Sequence, residues 1–100
     1  MDKATILAQC DQFGEFYIKY EKLRERGVTY LQGTIDFTDK YLAKRFKDEN
    51  PRPAKEDEIL VFSRTNDSFR YLPTKKIRRI TSLNSELDKA SPFGKPKRKS

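Results

Sequence analysis

The sequence predicts an α+β fold in which an N-terminal amphipathic helix packs on a small curled antiparallel sheet. Apolar residues recur at spacings of three and four over the first 26 residues, and apolar and polar residues alternate from residue 28 onward. Turn-forming residues separate the later segments. A chain of 100 residues, 35% of them hydrophobic, has enough apolar material for one modest core. We therefore expect a single α+β domain over residues 1–84 and a flexible, disordered basic tail over residues 85–100.

The N-terminal helix is predicted over residues 3–26. Asp2 is a suitable N-cap and Gly27 a suitable C-terminal stop. Cations that would oppose the helix dipole occupy the last turns, at Lys22, Arg24 and Arg26. One apolar stripe is formed by Ile6, Cys10, Phe13, Tyr17 and Tyr20. The stripe favours packing on the protein's own sheet over docking to a partner, which would make Cys10 a buried, unreactive thiol.

The sheet is predicted over residues 28–83. Residues 28–37 alternate as a strand, and Gly33 on its inward face indicates a bulge or sharp bend. Residues 38–50 fit either a short helix capped by Thr38 or a further strand, and the pattern slightly favours the helix. Residues 58–63 are apolar enough for a central strand, and residues 58–72 as a whole form a predicted hairpin. A last short strand follows at residues 77–83.

This order of elements resembles the architecture of SH3-like barrels over residues 28–83. The resemblance is architectural, involves no diagnostic motif, and requires residues 38–50 to supply a fifth strand. With a helix at 38–50, an ordinary α+β sheet describes the chain better. Because small barrels bind RNA, DNA or peptides, the resemblance does not select a function.

The residue types present argue against catalysis and metal binding. The chain has no histidine and a single cysteine, and zinc sites and most catalytic triads use these residues. Adjacent acids at Asp48 with Glu49 and at Glu56 with Asp57 are typical of solvated loop charges. We therefore expect a non-enzymatic protein without cofactor or metal. No apolar run approaches the length of about 20 residues that spans a membrane, so we expect a cytoplasmic protein, or a nuclear one in a eukaryote.

The excess positive charge lies in the second half of the chain. The net charge is +7, yet residues 1–57 contain as many acids as bases. Residues 58–83 contribute four positive charges in excess and the last residues another four, against one negative charge between them. A local positive potential of this kind attracts polyanions and gives affinity through counterion release. The distribution predicts a small accessory or regulatory protein that binds DNA or RNA through the phosphate backbone.

The predicted contacts lie in a basic hairpin surface and in the tail. The hairpin residues are Arg64, Arg70, Tyr71, Lys75, Lys76, Arg78 and Arg79. The tail residues are Lys95, Lys97, Arg98 and Lys99, which equally resemble a short nuclear-localisation signal. Lysines and arginines would hold phosphates, and Tyr71 would stack on a base. The alternative interpretation is that Tyr71 belongs to the core and that Arg78 or Arg79 pairs with acids such as Glu21 or Glu25.

A second functional hypothesis remains open at this stage. The chain could be a protein-interaction adaptor that docks on a larger complex through a sheet edge or the helix stripe, with Tyr30 and Tyr41 as exposed anchors. Both hypotheses describe a binding protein that is neither an enzyme nor a membrane protein.

Overall fold

The computed structural model describes residues 2–84, so the predicted tail with Lys95, Lys97, Arg98 and Lys99 lies outside the described residues. Within this range an N-terminal helix packs on a five-stranded antiparallel sheet, which confirms the predicted α+β class. The strand order is β4-β3-β2-β1-β5. β4 and β5 are edge strands that do not pair with each other, so the sheet is not closed into a barrel.

Helix α1 (Lys3–Phe13) is half as long as the sequence predicted. The Asp2 carboxylate accepts a hydrogen bond from the Thr5 amide at 2.8 Å, which confirms the predicted N-cap. The helix ends at Gly14, whose amide donates to the Cys10 carbonyl oxygen and whose φ is +75°. Because side-chain-bearing residues rarely adopt this backbone conformation, the glycine ends the helix. The prediction of one helix over residues 3–26 is therefore wrong.

Strand β1 (Glu15–Glu21) occupies the second half of the predicted helix. Phe16 and Ile18 are fully buried, whereas Glu15, Tyr17 and Lys19 are half-buried, and this alternation is the period of a strand. Residues with β-branched or aromatic side chains favour this conformation, and β1 contains four of them, Phe16, Tyr17, Ile18 and Tyr20. β1 supplies the fifth strand that the sequence had offered only through residues 38–50.

Residues 38–50 form helix α2 (Lys40–Glu49), as the sequence favoured. The N-cap is Asp39 and not the predicted Thr38, because the Asp39 carboxylate accepts a hydrogen bond from the Leu42 amide at 2.8 Å. Asn50 ends the helix in the left-handed conformation with a φ of 46°. Helix α2 thus leads directly into the proline-containing loop that was predicted after it.

The remaining strands are β2 (Val28–Thr34), β3 (Glu58–Ser63), β4 (Ser68–Pro73) and β5 (Ile77–Ser82). The predicted hairpin of residues 58–72 is confirmed, since β3 pairs with β4 from Glu58↔Pro73 to Ser63↔Ser68. β3 is an interior strand with a neighbour on each side, as predicted, and β2 is the middle strand of the five. β2 ends at Thr34, three residues before the predicted Phe37, and a 3-10 turn (Thr74–Lys76) links β4 to β5.

The two faces of the sheet are covered by different elements. On one face, α1 buries Ile6 and Cys10 against strand residues that include Phe16, Ile18 and Ile59. On the other face, α2 contributes to a cluster of aromatic rings with centroids 5.1 to 6.4 Å apart, formed by Phe37, Tyr41, Phe46, Phe62 and Phe69. Ile6 and Cys10 of the helix stripe are therefore buried in the protein's own core and are not available for docking to a partner.

The sheet curls where β2 meets β3. These strands share two residue pairs, Gly33↔Ser63 and Thr34↔Phe62, whereas β1 and β2 pair over seven positions. An ideal Cβ atom on Gly33 would lie 2.6 Å from the Phe62 carbonyl oxygen. Gly33 therefore permits a close backbone approach, in agreement with the bend predicted at this residue.

Candidate nucleic-acid interface

The connection between β1 and β2 carries three cations, Lys22, Arg24 and Arg26. The Lys22 amide donates to the Gly27 carbonyl oxygen at 3.0 Å, which closes the six-residue loop. Gly27 has a φ of +113°, a conformation that glycine adopts readily. Because the segment is a hairpin loop and not the end of a helix, its cations lie at one end of the sheet.

A first cleft lies between this loop and β4. The residues that line it are Tyr20, Lys22, Leu23, Arg24, Glu25, Thr29 and Arg70. Arg70 is exposed, and its Nε donates to the Ser68 hydroxyl at 3.2 Å. The curl of the sheet thus brings a cation of β4 close to cations that precede it by more than 40 positions in the chain.

A second cleft lies on the other side of the same loop. Its lining consists of Glu21, Lys22, Glu25, Arg26, Gly27, Val28, Lys76 and Arg78. Glu21 pairs with the Arg78 guanidinium at 2.6 Å and with the Lys76 ammonium at 3.9 Å. Lys22 pairs with Glu25 at 3.6 Å. Lys22 and Glu25 border both clefts, so the two form one continuous surface.

We call this surface the basic end, defined by its cations Lys22, Arg24, Arg26, Arg70, Lys76 and Arg78. Two carboxylates, Glu21 and Glu25, lie among six cations and leave four positive charges in excess. Within residues 2–84, Arg24, Arg26 and Arg70 have no ion pair. Exposed guanidinium groups of this kind can bind phosphate in a bidentate geometry.

The structure brings together only part of the predicted site. Arg70, Lys76 and Arg78 belong to the basic end, and Lys75 is exposed in the 3-10 turn beside Lys76. Arg79 is exposed and lies opposite Lys19 of β1. The bulge at this point leaves both Arg78 and Arg79 exposed between the buried Ile77 and Ile80.

Arg64 is separate from the other predicted cations. Its guanidinium lies 3.0 Å from the Glu15 carboxylate and 3.7 Å from that of Asp39. The hydrogen bond to Glu15 raises the pKa of Arg64, which remains charged. Glu15 is the first residue of β1 and Glu21 the last, a separation of about 20 Å along a strand. Arg64 therefore lies at the far end of β1 from the basic end.

Tyr71 has a structural partner on its ring. The Arg52 guanidinium lies 3.9 Å from the ring centroid, and the Tyr71 hydroxyl donates to the Arg52 carbonyl oxygen at 2.7 Å. Glu58 forms an ion pair with Arg52 and raises its pKa. This arrangement holds the 50–57 loop against β4 and covers one face of the ring that was predicted to stack on a base.

Other exposed rings differ in their surroundings. The Tyr41 hydroxyl donates to Asp67 at 3.0 Å and accepts from Arg45 at 2.7 Å. Tyr30 is half exposed, and the Lys19 ammonium lies 5.9 Å from its ring centroid. Tyr30 therefore offers an accessible ring next to a cation, whereas Tyr41 belongs to a polar network around the β3–β4 turn.

Sequence reasoning missed the loop cations Lys22, Arg24 and Arg26 because it placed them in a helix. The signal that identifies them is the Arg-Gly pair at 26–27, since glycine at the end of a charged segment is typical of a hairpin loop as well as of a helix stop. Their proximity to Arg70 and Arg78 depends on long-range strand pairing, which local patterns do not specify.

Residues 2–84 contain no group of three or more potential metal ligands, and none of their helices has the length and apolar character needed to cross a membrane. Burial raises the pKa of the Cys10 thiol to about 12, which disfavours the reactive thiolate. The chain matches no protein-family model, no curated protein and no solved structure.

Proposed function

We propose that this chain is a small, non-enzymatic accessory or regulatory protein that binds nucleic acid through its basic end. The observation that carries the proposal is the convergence of cations from three separate segments on one surface. The β1–β2 loop contributes Lys22, Arg24 and Arg26, β4 contributes Arg70, and residues 76–78 contribute Lys76 and Arg78. A polyanion with regularly spaced phosphates can contact several of these groups at once.

The ion pairs at Glu21 reduce this potential without cancelling it. Arg78 and Lys76 share one carboxylate, so the three groups together keep one positive charge. Arg78 remains exposed beside Glu21, and surface ion pairs contribute only about 0 to 1 kcal/mol, so an incoming phosphate can compete for it. Lys75 and Arg79 add exposed cations next to the basic end.

Binding of this type is expected to be directed at the backbone and to have low sequence specificity. The basic end presents cations of loops, strands and the 3-10 turn, and within residues 2–84 neither α1 nor α2 contributes to its clefts. Direct reading of base edges usually requires an element that fits into a groove. Phosphate contacts position a protein on nucleic acid but carry no sequence information.

The test is a titration of fluorescently labelled DNA and RNA over a series of salt concentrations. Four effective charges predict that the logarithm of the association constant falls with the logarithm of salt concentration at a slope of about −3 for single strands. The variant Arg24→Gln/Arg26→Gln removes two cations that form no ion pair with any residue from 2 to 84. It should reduce the steepness of the slope by about 1.4. Replacing Lys75 and Lys76 with alanine should also make it shallower.

The matched control is Lys40→Gln/Lys47→Gln, which removes the same charge from exposed positions of α2. This variant should retain the slope of the unmodified protein to within a few tenths. Absence of binding in low salt, or equal slopes for the two double variants, would contradict the proposal.

A further inference from the structure

A second surface adjoins the basic end on the face of β5, β1 and β2 opposite to α1. In the strand register, Lys19 of β1 lies between Tyr30 of β2 and Arg79 of β5. Since neighbouring strands are about 4.8 Å apart, these three residues form a row about 10 Å wide. We call this the outer row.

The outer row is continuous with the basic end. Glu21 and Val28 are paired two positions further along β1 and β2, so they share the same face of the sheet. Both residues line the cleft that contains Arg26 and Arg78. A chain of nucleotides bound at this cleft can therefore extend across Val28 to Tyr30.

Two large side chains on this face of the sheet are exposed. Tyr30 is 50% exposed and Val28 is 43% exposed. An accessible ring with cations beside it is the combination that proteins use to hold unpaired bases, because every base has a π-face that can stack on an aromatic side chain. Lys19 lies beside the ring and Arg79 lies one strand further along the same row, at positions where they can contact the phosphates of a strand.

The geometry of a duplex prevents its bases from stacking on the Tyr30 ring. The bases of a duplex are stacked on one another and expose only their edges in the grooves, so a ring on a sheet face can reach a base only in an unpaired strand. We propose that the outer row binds single-stranded nucleic acid by stacking a base on Tyr30 while the basic end holds the adjoining phosphates. This inference rests on the proposed function and specifies its substrate as single-stranded.

The experiment compares three ligands of equal length, about 12 nucleotides, which is within the usual site size of small β-sheet binding domains. They are an oligothymidine, an abasic strand that retains every phosphate, and a duplex. The unmodified protein should bind oligothymidine about tenfold more tightly than the abasic strand, which corresponds to a single stacking contact. It should also prefer oligothymidine to duplex.

Three variants assign the preference to the ring. Tyr30→Ala should bind oligothymidine and the abasic strand with equal affinity, and Tyr30→Phe should keep the preference because it keeps the ring. Tyr41→Ala is the matched control, since Tyr41 is 51% exposed but lies at the β3–β4 turn. It should retain the preference of the unmodified protein.

A measurement on the unmodified protein makes the test independent of the stability of the variants. The ring proton resonances of Tyr30 should shift on addition of oligothymidine and stay unchanged on addition of the abasic strand. Equal affinity of the unmodified protein for oligothymidine and the abasic strand would overturn this inference and leave the proposed function intact. Failure of all three ligands to bind in low salt would instead reject the proposed function.

Discussion

Replacing Gly33 with alanine should destabilise the protein, although the same change in an ordinary strand is usually stabilising. Alanine restricts the unfolded chain and would on this ground add about 0.4 to 1 kcal/mol of stability. In this structure its Cβ would lie 2.6 Å from the Phe62 carbonyl oxygen and 3.1 Å from the Leu31 side chain. The Phe62 oxygen belongs to the backbone of β3, so the two strands must separate to relieve the contact.

The expected size of the effect follows from the cost of overpacking. Forcing extra volume into a packed site costs about 1 to 3 kcal/mol, and the displaced backbone lies where β2 and β3 share only two residue pairs. For a domain of this size, each kcal/mol lowers the melting temperature by about 4 to 8 °C. We therefore expect the Gly33→Ala protein to melt roughly 5 to 20 °C below the unmodified protein.

The assay is thermal and urea-induced unfolding followed by far-UV circular dichroism. The slope of the unfolding free energy against urea concentration should be the same for both proteins, so that the difference between their urea midpoints measures the difference in stability. A melting temperature equal to or above that of the unmodified protein would refute the steric reasoning. It would show that β2 and β3 separate without loss and that the approach at Gly33 is not required for the curl.

Three further predictions concern single residues. Cys10 is fully buried and its pKa is raised to about 12, so the native protein should react with a thiol reagent far more slowly than the unfolded chain, as followed by absorbance. Replacing Asp39 with alanine removes the N-cap contact to Leu42 and should lower the free energy of unfolding by about 1 kcal/mol in urea titrations. The hydrogen bond from Arg52 lowers the pKa of Glu58, so the stability that this carboxylate contributes is present above its unfolded-state pKa and is lost as the pH falls through the folded-state pKa. The free energy of unfolding, measured from about pH 7 down to about pH 3, should therefore decrease less for Glu58→Gln than for the unmodified protein. An equal decrease for the two proteins would contradict the role of this ion pair.

The sequence predicted the elements whose local signals agree with one another. The hairpin of residues 58–72 has apolar strands on both sides of a polar turn, and α2 has a cap at its start and prolines after its end. The first 26 residues were interpreted incorrectly because two periods coexist there. Phe16, Ile18 and Tyr20 alternate as in a strand, while Phe13 and Tyr17 also continue the helical spacing from Cys10.

Gly14 ends the helix, and the strand begins directly after it. That this glycine ends the helix is difficult to predict from the sequence alone. A glycine inside a helical pattern costs about 1 kcal/mol, which a long apolar stripe can outweigh. In the folded protein β1 pairs on both sides, with β2 and with β5, and these long-range hydrogen bonds favour the strand. Tertiary contacts of this kind leave no local pattern in the sequence around Gly14.

The candidate site was predictable only in part for the same reason. The charge distribution identified Arg70, Lys76 and Arg78, which belong to the basic end. The pairing of Arg78 with Glu21 was an alternative that the sequence left open, and the structure confirms it. The charge distribution could not identify that the 22–27 loop lies beside β4, because this contact depends on how the sheet curls. Because residues 1–57 have no net charge, the charge distribution did not indicate that Lys22, Arg24 and Arg26 belong to the site. The fold brings these cations next to the positively charged residues 58–83.

The position of β5 in the sheet affects how this protein can fold during synthesis. β5 pairs with β1, so Phe16 is matched with Ser82, and β1 acquires its second neighbour only when β5, more than 50 residues later in the chain, has emerged from the ribosome. Pairing between residues so distant in the chain closes a long loop, which slows folding. Until β5 has emerged, the backbone N–H and C=O groups along one edge of β1 have no strand to pair with. An incomplete chain that ends before Ile77 would therefore expose this edge to association with other chains.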